Sequence, residues 1–179
     1  MWDKSIASNL ASAEKARTYL AKAMPGATAR DELHAVDYLV YAYLQHGRVD
    51  DARRLVEKTR KVTALDHAND FAAAYAITAV PARFALERRE WKEAAALNVP
   101  SVTDWTKIPY AEANIHFARG IGFVRSGNRD VARDAVAKLA AIRASLVAQR
   151  TPIGRTRSRF NACRLQRGLR ARRKATRSR

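Results

Sequence analysis

His34 and Asp37 are the residues whose types and spacing come closest to a catalytic arrangement. They stand three positions apart, so on a helix they share one face, as a general base and its orienting carboxylate would. An ordinary hydrogen bond at the helix surface or in the core is the favoured interpretation, because the sequence supplies no matching nucleophile or oxyanion site. The other histidines, His46, His67 and His116, have no metal-binding i, i+4 spacing. We therefore predict no catalytic residue, no metal site, no cofactor and a protein that is not an enzyme.

Aromatic residues offer a second kind of chemistry, which is binding. Tyr38, Tyr41 and Tyr43 stand close together, with Tyr38 and Tyr41 on a similar helix face and Tyr43 on another. Packing between helices is the favoured role for most of them. The alternative is that one tyrosine lines a partner-binding surface together with Gln45, Arg83 or Asn114, because aromatic and arginine residues often anchor protein partners.

Helices must position these side chains, because the sequence is rich in alanine, leucine, arginine, glutamate and lysine and has no sustained period-two alternation. We predict an all-α fold. Glycine ends the second and sixth helices, at Gly47 and Gly127, and Asp31 or Thr28 caps the second. Pro81 is predicted to kink or split the fourth helix. The predicted helices span residues 3–24, 32–46, 49–62, 68–88, 90–97, 109–126 and 128–148.

Three helix–turn–helix segments share one local pattern, in which an alanine follows a short turn. The segments are 47–52, 89–94 and 127–132, and their alanines are Ala52, Ala94 and Ala132. Each turn is too short for its two helices to do anything but pack antiparallel. Repeats of helix pairs at this period are typical of an α-solenoid.

The three segments resemble the tetratricopeptide-repeat (TPR) family over roughly residues 30–149. A bulky or small residue, an aromatic, a glycine and an alanine fall on the family's positions around the first and last turns, whereas Arg89 replaces the glycine of the middle turn. The spacing exceeds the family's usual period of about 34 residues. The runs 34–45 and 80–89 resemble a group of uncharacterised bacterial TPR proteins. The matching residues, predicted to pack the repeats, are Leu39, Tyr43, Gly47, Ala52, Trp91, Ala94, Gly120, Phe123, Gly127 and Ala132.

The resemblance implies antiparallel helix pairs stacked as a short, right-handed TPR-like α-solenoid that binds a peptide or helix in a concave groove. We predict a non-catalytic scaffold for protein–protein interaction, with Tyr38, Tyr41, Arg83 and Asn114 as candidate groove residues. The expected partner is a protein or peptide. No stretch is apolar enough to span a membrane, and the expected location is cytoplasmic.

The first residues resemble the turn and second helix of an earlier repeat, with Trp2 in the aromatic position and Ser5 in the alanine position. This resemblance predicts that the first helix of that repeat is missing, and that helix 3–24 exposes an apolar stripe. The stripe comprises Ile6, Leu10, Ala13, Ala16 and Leu20. The alternative interpretation is a genuine terminal capping helix, although a cap should have a polar outer face.

Residues 150–179 form a basic tail, distinct from a helical domain over residues 1–149. The tail holds 12 of the 34 basic residues and no acid, so the net charge of +17 is concentrated there. A disordered terminus and an arm that neutralises nucleic-acid phosphates are two interpretations, although Phe160 is the only aromatic available for base stacking. The third, which we favour over a selected basic arm, is a slipped reading frame, since GC-rich DNA read out of frame yields such strings. Nucleic-acid binding is therefore the alternative function if the tail is genuine.

Overall fold

A computed structural model describes residues 1–149 of the chain, and these residues form seven α-helices without a β-strand. The all-α class is confirmed, and each described boundary lies within one helical turn of its predicted position. The prediction for residues 150–179 lies outside the described residues. The helices are α1 (Trp2–Ala23), α2 (Arg30–Gln45), α3 (Val49–Arg60), α4 (Phe71–Glu87), α5 (Trp91–Ala95), α6 (Pro109–Arg125) and α7 (Arg129–Ala148).

Left-handed residues end α2, α4 and α6 one position after the C-cap. Gly47 and Gly127 have φ of 73° and 91°, as expected where a helix closes with a residue free of a Cβ atom. Arg89 takes the same conformation after α4, with φ of 59°. A non-glycine residue there costs roughly 1–2 kcal/mol, so the middle turn reaches the same geometry at the expense of backbone strain.

The predicted cap of α2 is wrong. The helix begins at Arg30, its N-cap is Ala29, and neither Thr28 nor Asp31 caps it with a side chain. Asp66, in the connection between α3 and α4, accepts a hydrogen bond from the Arg30 N–H at 2.9 Å. Thr28 exchanges main-chain hydrogen bonds with that same connection, so its backbone is held away from the capping position.

Helix α4 continues through Pro81, so of the two predicted alternatives, a kink or a split, the split is wrong. Asp70 caps the helix by accepting a hydrogen bond from the N–H of Ala73 at 3.0 Å. Most of the residues of α4 are buried, because it packs against α2, α3, α5 and α6. Burial on nearly every side stabilises the helix across the position where proline removes one backbone hydrogen bond.

Helices α2, α4 and α6 lie side by side and run parallel. Between α2 and α4, Asp37 meets Arg83 and Gln45 meets Glu87, so the contacts advance in the same direction along both helices. Between α4 and α6, Phe71 meets Tyr110 and Thr78 meets Asn114, which gives the same sense. The short turns after α2 and α4 send α3 and α5 back in the opposite direction. Among the described helices, α1 packs only on α2 and α7 only on α6.

Helix α1 packs along one narrow seam. Ile6, Ala13 and Leu20, spaced seven residues apart, are buried against α2 rather than exposed as predicted, whereas Leu10 stays exposed. A buried carboxylate strengthens this end of the fold. Glu32 of α2 pairs with Arg17 of α1 at 2.9 Å and with Lys58 of α3 at 2.5 Å, so two cations compensate its burial.

The residues predicted to pack the repeats divide between core and turn. The alanines after the three turns are fully buried, as are Leu39, Tyr43 and Gly120, whereas Trp91 and Phe123 are half-buried and the turn glycines are exposed. Gly122 lies where α5 crosses α6. A Cβ atom there would fall against the backbone nitrogen of Ala95 and 2.7 Å from the Trp91 carbonyl oxygen, so this crossing requires glycine.

Candidate functional site

The parallel helices α2, α4 and α6 carry two groups of aromatic side chains that remain partly accessible to solvent. We call the surface formed by Tyr38 and Tyr41 of α2, Phe71 and Tyr75 of α4, and Tyr110 of α6 the aromatic face. Tyr38, Phe71 and Tyr41 are 51%, 42% and 40% exposed. Large aromatic side chains with this exposure gain most when a partner covers them, since each buries an extensive apolar area.

Arg83 of α4 contacts two residues of α2, Asp37 and Tyr41. Its guanidinium donates from Nη1 to the Asp37 carbonyl oxygen at 3.0 Å and also to the Asp37 carboxylate. The same group lies over the Tyr41 ring, 5.7 Å from its centroid. Arg83 is mostly buried and its charge is paired with Asp37, so it positions Tyr41 and neutralises Asp37 instead of offering a free charge to a partner.

The arrangement at His34 differs from a base with its orienting carboxylate. The imidazole of His34 meets the Tyr38 ring edge-to-face, with centroids 5.2 Å apart. Asp37, the proposed orienting group, forms its ion pair across the helix interface with Arg83. The two side chains that could have worked together therefore each serve a different neighbour.

Tyr41 is held on its other side by the first turn of α1. The Trp2 and Tyr41 rings meet edge-to-face with centroids 5.6 Å apart. Such an aromatic pair contributes about 0.5–1.5 kcal/mol beyond the area that it buries. Trp2 and Arg83 thus fix the position of Tyr41, which lowers the entropy cost of using its remaining exposed surface for binding.

The second part of the aromatic face lies at the N-terminal ends of α4 and α6, where the sequence analysis placed only Asn114. The ring of Phe71 is 5.9 Å from that of Tyr75 and 5.1 Å from that of Tyr110. Phe71 and Tyr110 are 39 residues apart, which is close to the repeat spacing of the turns. This separation is the sequence signal that could have identified the pair, because side chains one repeat apart meet when successive helices pack in parallel.

Asn114 lies next to this cluster and serves the interface between α4 and α6. Its amide Nδ2 donates to the buried hydroxyl oxygen of Thr78 at 3.1 Å. The Thr78 hydroxyl is within hydrogen-bond distance of the Ala74 and Tyr75 carbonyl oxygens. Asn114 therefore lies apart from Tyr38, Tyr41 and Arg83, and the predicted groove residues divide between two helix interfaces.

Two pKa shifts accompany the partial burial of this surface. Burial raises the pKa of Tyr110, and the nearby Asp70 carboxylate adds to the effect, so its hydroxyl stays neutral. Burial also raises the pKa of Glu87, although Arg83 and a 3.0 Å hydrogen bond from Gln45 oppose that shift. The Tyr110 hydroxyl of the aromatic face is therefore neutral, and Glu87 is already hydrogen-bonded inside the protein.

The described residues lack both a cluster of metal-binding side chains and a helix that could span a membrane. Residues 1–149 contain no group of three or more histidine, cysteine, aspartate or glutamate side chains that could hold a metal ion. Over the same range, every helix is either too short or too polar to cross a membrane. Comparison with known proteins gave no match to any family model, curated protein or solved structure.

Proposed function

We propose that the chain is a non-catalytic scaffold of the TPR type, which binds a peptide or helix of a partner protein across its aromatic face. Two features of the fold support this proposal. The first helix of each pair, α2, α4 or α6, runs parallel to the others, and the helix that follows it runs antiparallel. Contacts are also confined to neighbouring helices. The recurring turn supports it further, since each one combines a left-handed residue with a buried alanine. The solenoid would then be short and right-handed, with the row α2, α4 and α6 on its concave side.

The observation that carries the binding function is the exposure of Tyr38, Tyr41 and Phe71 on successive first helices. Exposed aromatics on two neighbouring first helices suit a segment that crosses both helices, since each helix adds one anchor point. Tyr38 and Tyr41 form one anchor site, and Phe71 with Tyr110 forms the other. Arg83 and Asn114 hold the helices that carry these rings.

The partner segment is expected to be apolar or aromatic at its anchor positions. The two carboxylates between α2 and α4 are already paired within the protein, Asp37 with Arg83 and Glu87 with Gln45. Binding would therefore depend on apolar area more than on charge, and its affinity should change little with salt concentration. This property distinguishes it from nucleic-acid binding through residues 150–179, which predicts a steep loss of affinity as salt rises.

Selection from a library of displayed random peptides tests this function with the full chain. Peptides enriched on the wild-type protein should lose about tenfold or more in affinity when Tyr38 and Tyr41 are both replaced by alanine. Tyr19→Ala is the matched control, because Tyr19 is a tyrosine on α1 that is 80% exposed and lies away from the face. Enriched peptides that bind the double variant as well as they bind the wild type would refute the assignment.

A further inference from the structure

Four arginines lie around the turn between α4 and α5. Arg88 and Arg89 belong to the turn itself, Arg53 comes from α3, and Arg125 is the last residue of α6. The guanidinium carbons of Arg53 and Arg88 lie 4.9 Å and 5.9 Å from the centroid of the Phe84 ring, so one aromatic side chain supports both. We call Arg53, Arg88, Arg89 and Arg125 the basic patch.

Arg125 is supported in the same way at the start of α5. Its guanidinium carbon is 5.3 Å from the centroid of the Trp91 ring. The N–H of Trp91 donates to the Arg89 carbonyl oxygen at 2.9 Å, so the turn brings the two supporting rings close to each other. A cation that already rests on an aromatic ring is partly positioned, which lowers the entropy cost of binding an anion.

The charges of the basic patch are mostly unpaired. Within residues 1–149, the side chains of Arg53, Arg89 and Arg125 are exposed and form no hydrogen bond or ion pair. Over the same range, Glu90 is the only carboxylate within ion-pair distance of the patch, at 3.6 Å from Nη2 of Arg88. The patch therefore keeps a net positive charge and attracts an anionic partner.

Two arginines of the patch are held at a cost to stability. Arg89 has the left-handed conformation that Gly47 and Gly127 adopt in the other two turns. The Nε atom of Arg88 is buried and has no hydrogen-bond partner among the described residues. Strain of this kind concentrates at functional positions, where a more stable residue could not perform the same role.

The basic patch is separate from the aromatic face. Phe71 and Arg88 lie at opposite ends of α4, whose 17 residues extend over about 25 Å. The patch also differs from a typical surface for single-stranded nucleic acid, which stacks bases on open aromatic rings. Phe84 is fully buried, and Trp91 is half-buried with Arg125 over its ring, so these rings are poorly placed to stack on bases.

We propose that the basic patch binds an acidic segment of a partner protein, in which several aspartate or glutamate side chains follow closely on one another. Arginine suits this partner because its planar guanidinium can donate two parallel hydrogen bonds to one carboxylate. Arg53 and Arg125 offer donors that no group of the described domain uses, and Arg89 adds a third exposed cation. The acidic segment crosses the turn between α4 and α5.

Fluorescence anisotropy of a labelled oligoglutamate peptide, titrated with the full chain, tests the proposal. The double variant Arg53→Gln/Arg125→Gln should bind the peptide about fivefold more weakly than the wild type. The matched control is Lys138→Gln/Arg143→Gln, which removes two exposed cations of α7 and should change the affinity by less than about twofold. Both variants have the same net charge, so any contribution of residues 150–179 is equal in the two.

Circular dichroism verifies that both double variants keep their helices. Equal affinity of the two for the peptide would overturn the proposal. A single-stranded oligonucleotide is the competing probe. If Arg53→Gln/Arg125→Gln loses more affinity for the oligonucleotide than for the peptide, relative to the α7 control, the assignment to an acidic protein segment is wrong.

Position 89 tests whether the strained arginine serves binding. Arg89→Gly should weaken peptide binding by about twofold to threefold, because it removes one exposed cation. Arg89→Lys keeps the charge and should bind nearly as tightly as the wild type. An Arg89→Gly protein that binds the peptide as tightly as the wild type would overturn the inclusion of Arg89 in the binding surface.

Discussion

The first helix pair, α2 with α3, and the second pair, α4 with α5, share one topology but are packed by different contacts. Helix α3 has 12 residues and buries Ala52, Val56 and Thr59 against its neighbours. Helix α5 has five residues and buries only Ala94. The second pair compensates by close approach, since Gly122 lets the α5 backbone lie directly on α6. Repetition of a topology therefore does not require repetition of its contacts.

The connection after α5 provides the remaining apolar contacts that the short helix α5 lacks. Leu97 belongs to a cluster with Ala82, Ile115 and Ala118, so it fills the place that a longer helix would have occupied. The indole Nε1 of Trp105 donates to the Pro100 carbonyl oxygen at 2.6 Å, so a hydrogen bond within the connection stabilises its conformation. A loop thus takes over a packing role that α3 performs as a helix.

The largest effect should come from breaking the core of the first pair. Phe84 is fully buried in a cluster with Leu39, Val40 and Val56, and Phe84→Ala should lower the free energy of unfolding by about 3–5 kcal/mol. Urea denaturation measures the change. Phe71→Ala, at a residue that is 42% exposed, is the control and should cost much less. Equal losses would show that the two aromatic positions do not differ as core and surface.

The close approach of the second pair should give the next largest effect. Gly122→Ala adds one methyl group where the backbone of α5 leaves no room, and we expect a loss of about 1–3 kcal/mol in unfolding free energy. Lys138→Ala, on the exposed side of α7, should stay within about 0.5 kcal/mol of the wild type. A Gly122→Ala protein as stable as the wild type would mean that α5 can shift freely.

Substitutions in the turns of the two pairs should change the unfolding free energy by smaller amounts and in opposite directions. Arg89→Gly removes the left-handed strain of the second turn and should raise the unfolding free energy by roughly 0.5–1 kcal/mol. Gly47→Ala introduces the same strain into the first turn, where no atom lies near enough to clash, and should lower it by roughly 1 kcal/mol. Thermal denaturation of both variants checks the signs, and a destabilised Arg89→Gly would contradict this account.

The smallest effect concerns pH at the interface between α2 and α4. Because burial raises the pKa of Glu87 in the folded state, its contribution is most favourable below its ordinary value of 4.5. That contribution is lost as pH rises from 4.5 through the raised folded pKa. The Tm of the wild type minus the Tm of Glu87→Gln should therefore be slightly larger at pH 4 than at pH 7. A difference of the opposite sign would show that pairing with Arg83 outweighs burial.

Local features of the chain could be predicted from the sequence, whereas contacts between distant elements could not. The helices followed from composition, and the ends of α2 and α6 followed from the glycines Gly47 and Gly127. The cap of α2 escaped prediction because Asp66 is 36 residues away and acts through a separate connection. Its role depends on which elements become neighbours, and propensity along one segment carries no information about that.

The candidate site shows the same division. Tyr38 and Tyr41 could be identified because they share one face of a single helix. The pairing of Asp37 with Arg83, and the cluster of Phe71 with Tyr110, arise only when α2, α4 and α6 lie parallel at a particular offset. The sequence therefore indicated which residue types would line the surface, and the packing determined which of them meet.

The position of α4 has a consequence for how the domain opens. Because α4 packs against α2, α3, α5 and α6, while α1 and α7 each rest on a single helix, these two outer helices each have only one helix interface to break when they open. Backbone amides of α1 and α7 should then exchange their hydrogens through local opening, and those of α4 only when the central helices separate. The middle of the chain would act as the slowest-exchanging element, with protection falling toward both ends of the described domain.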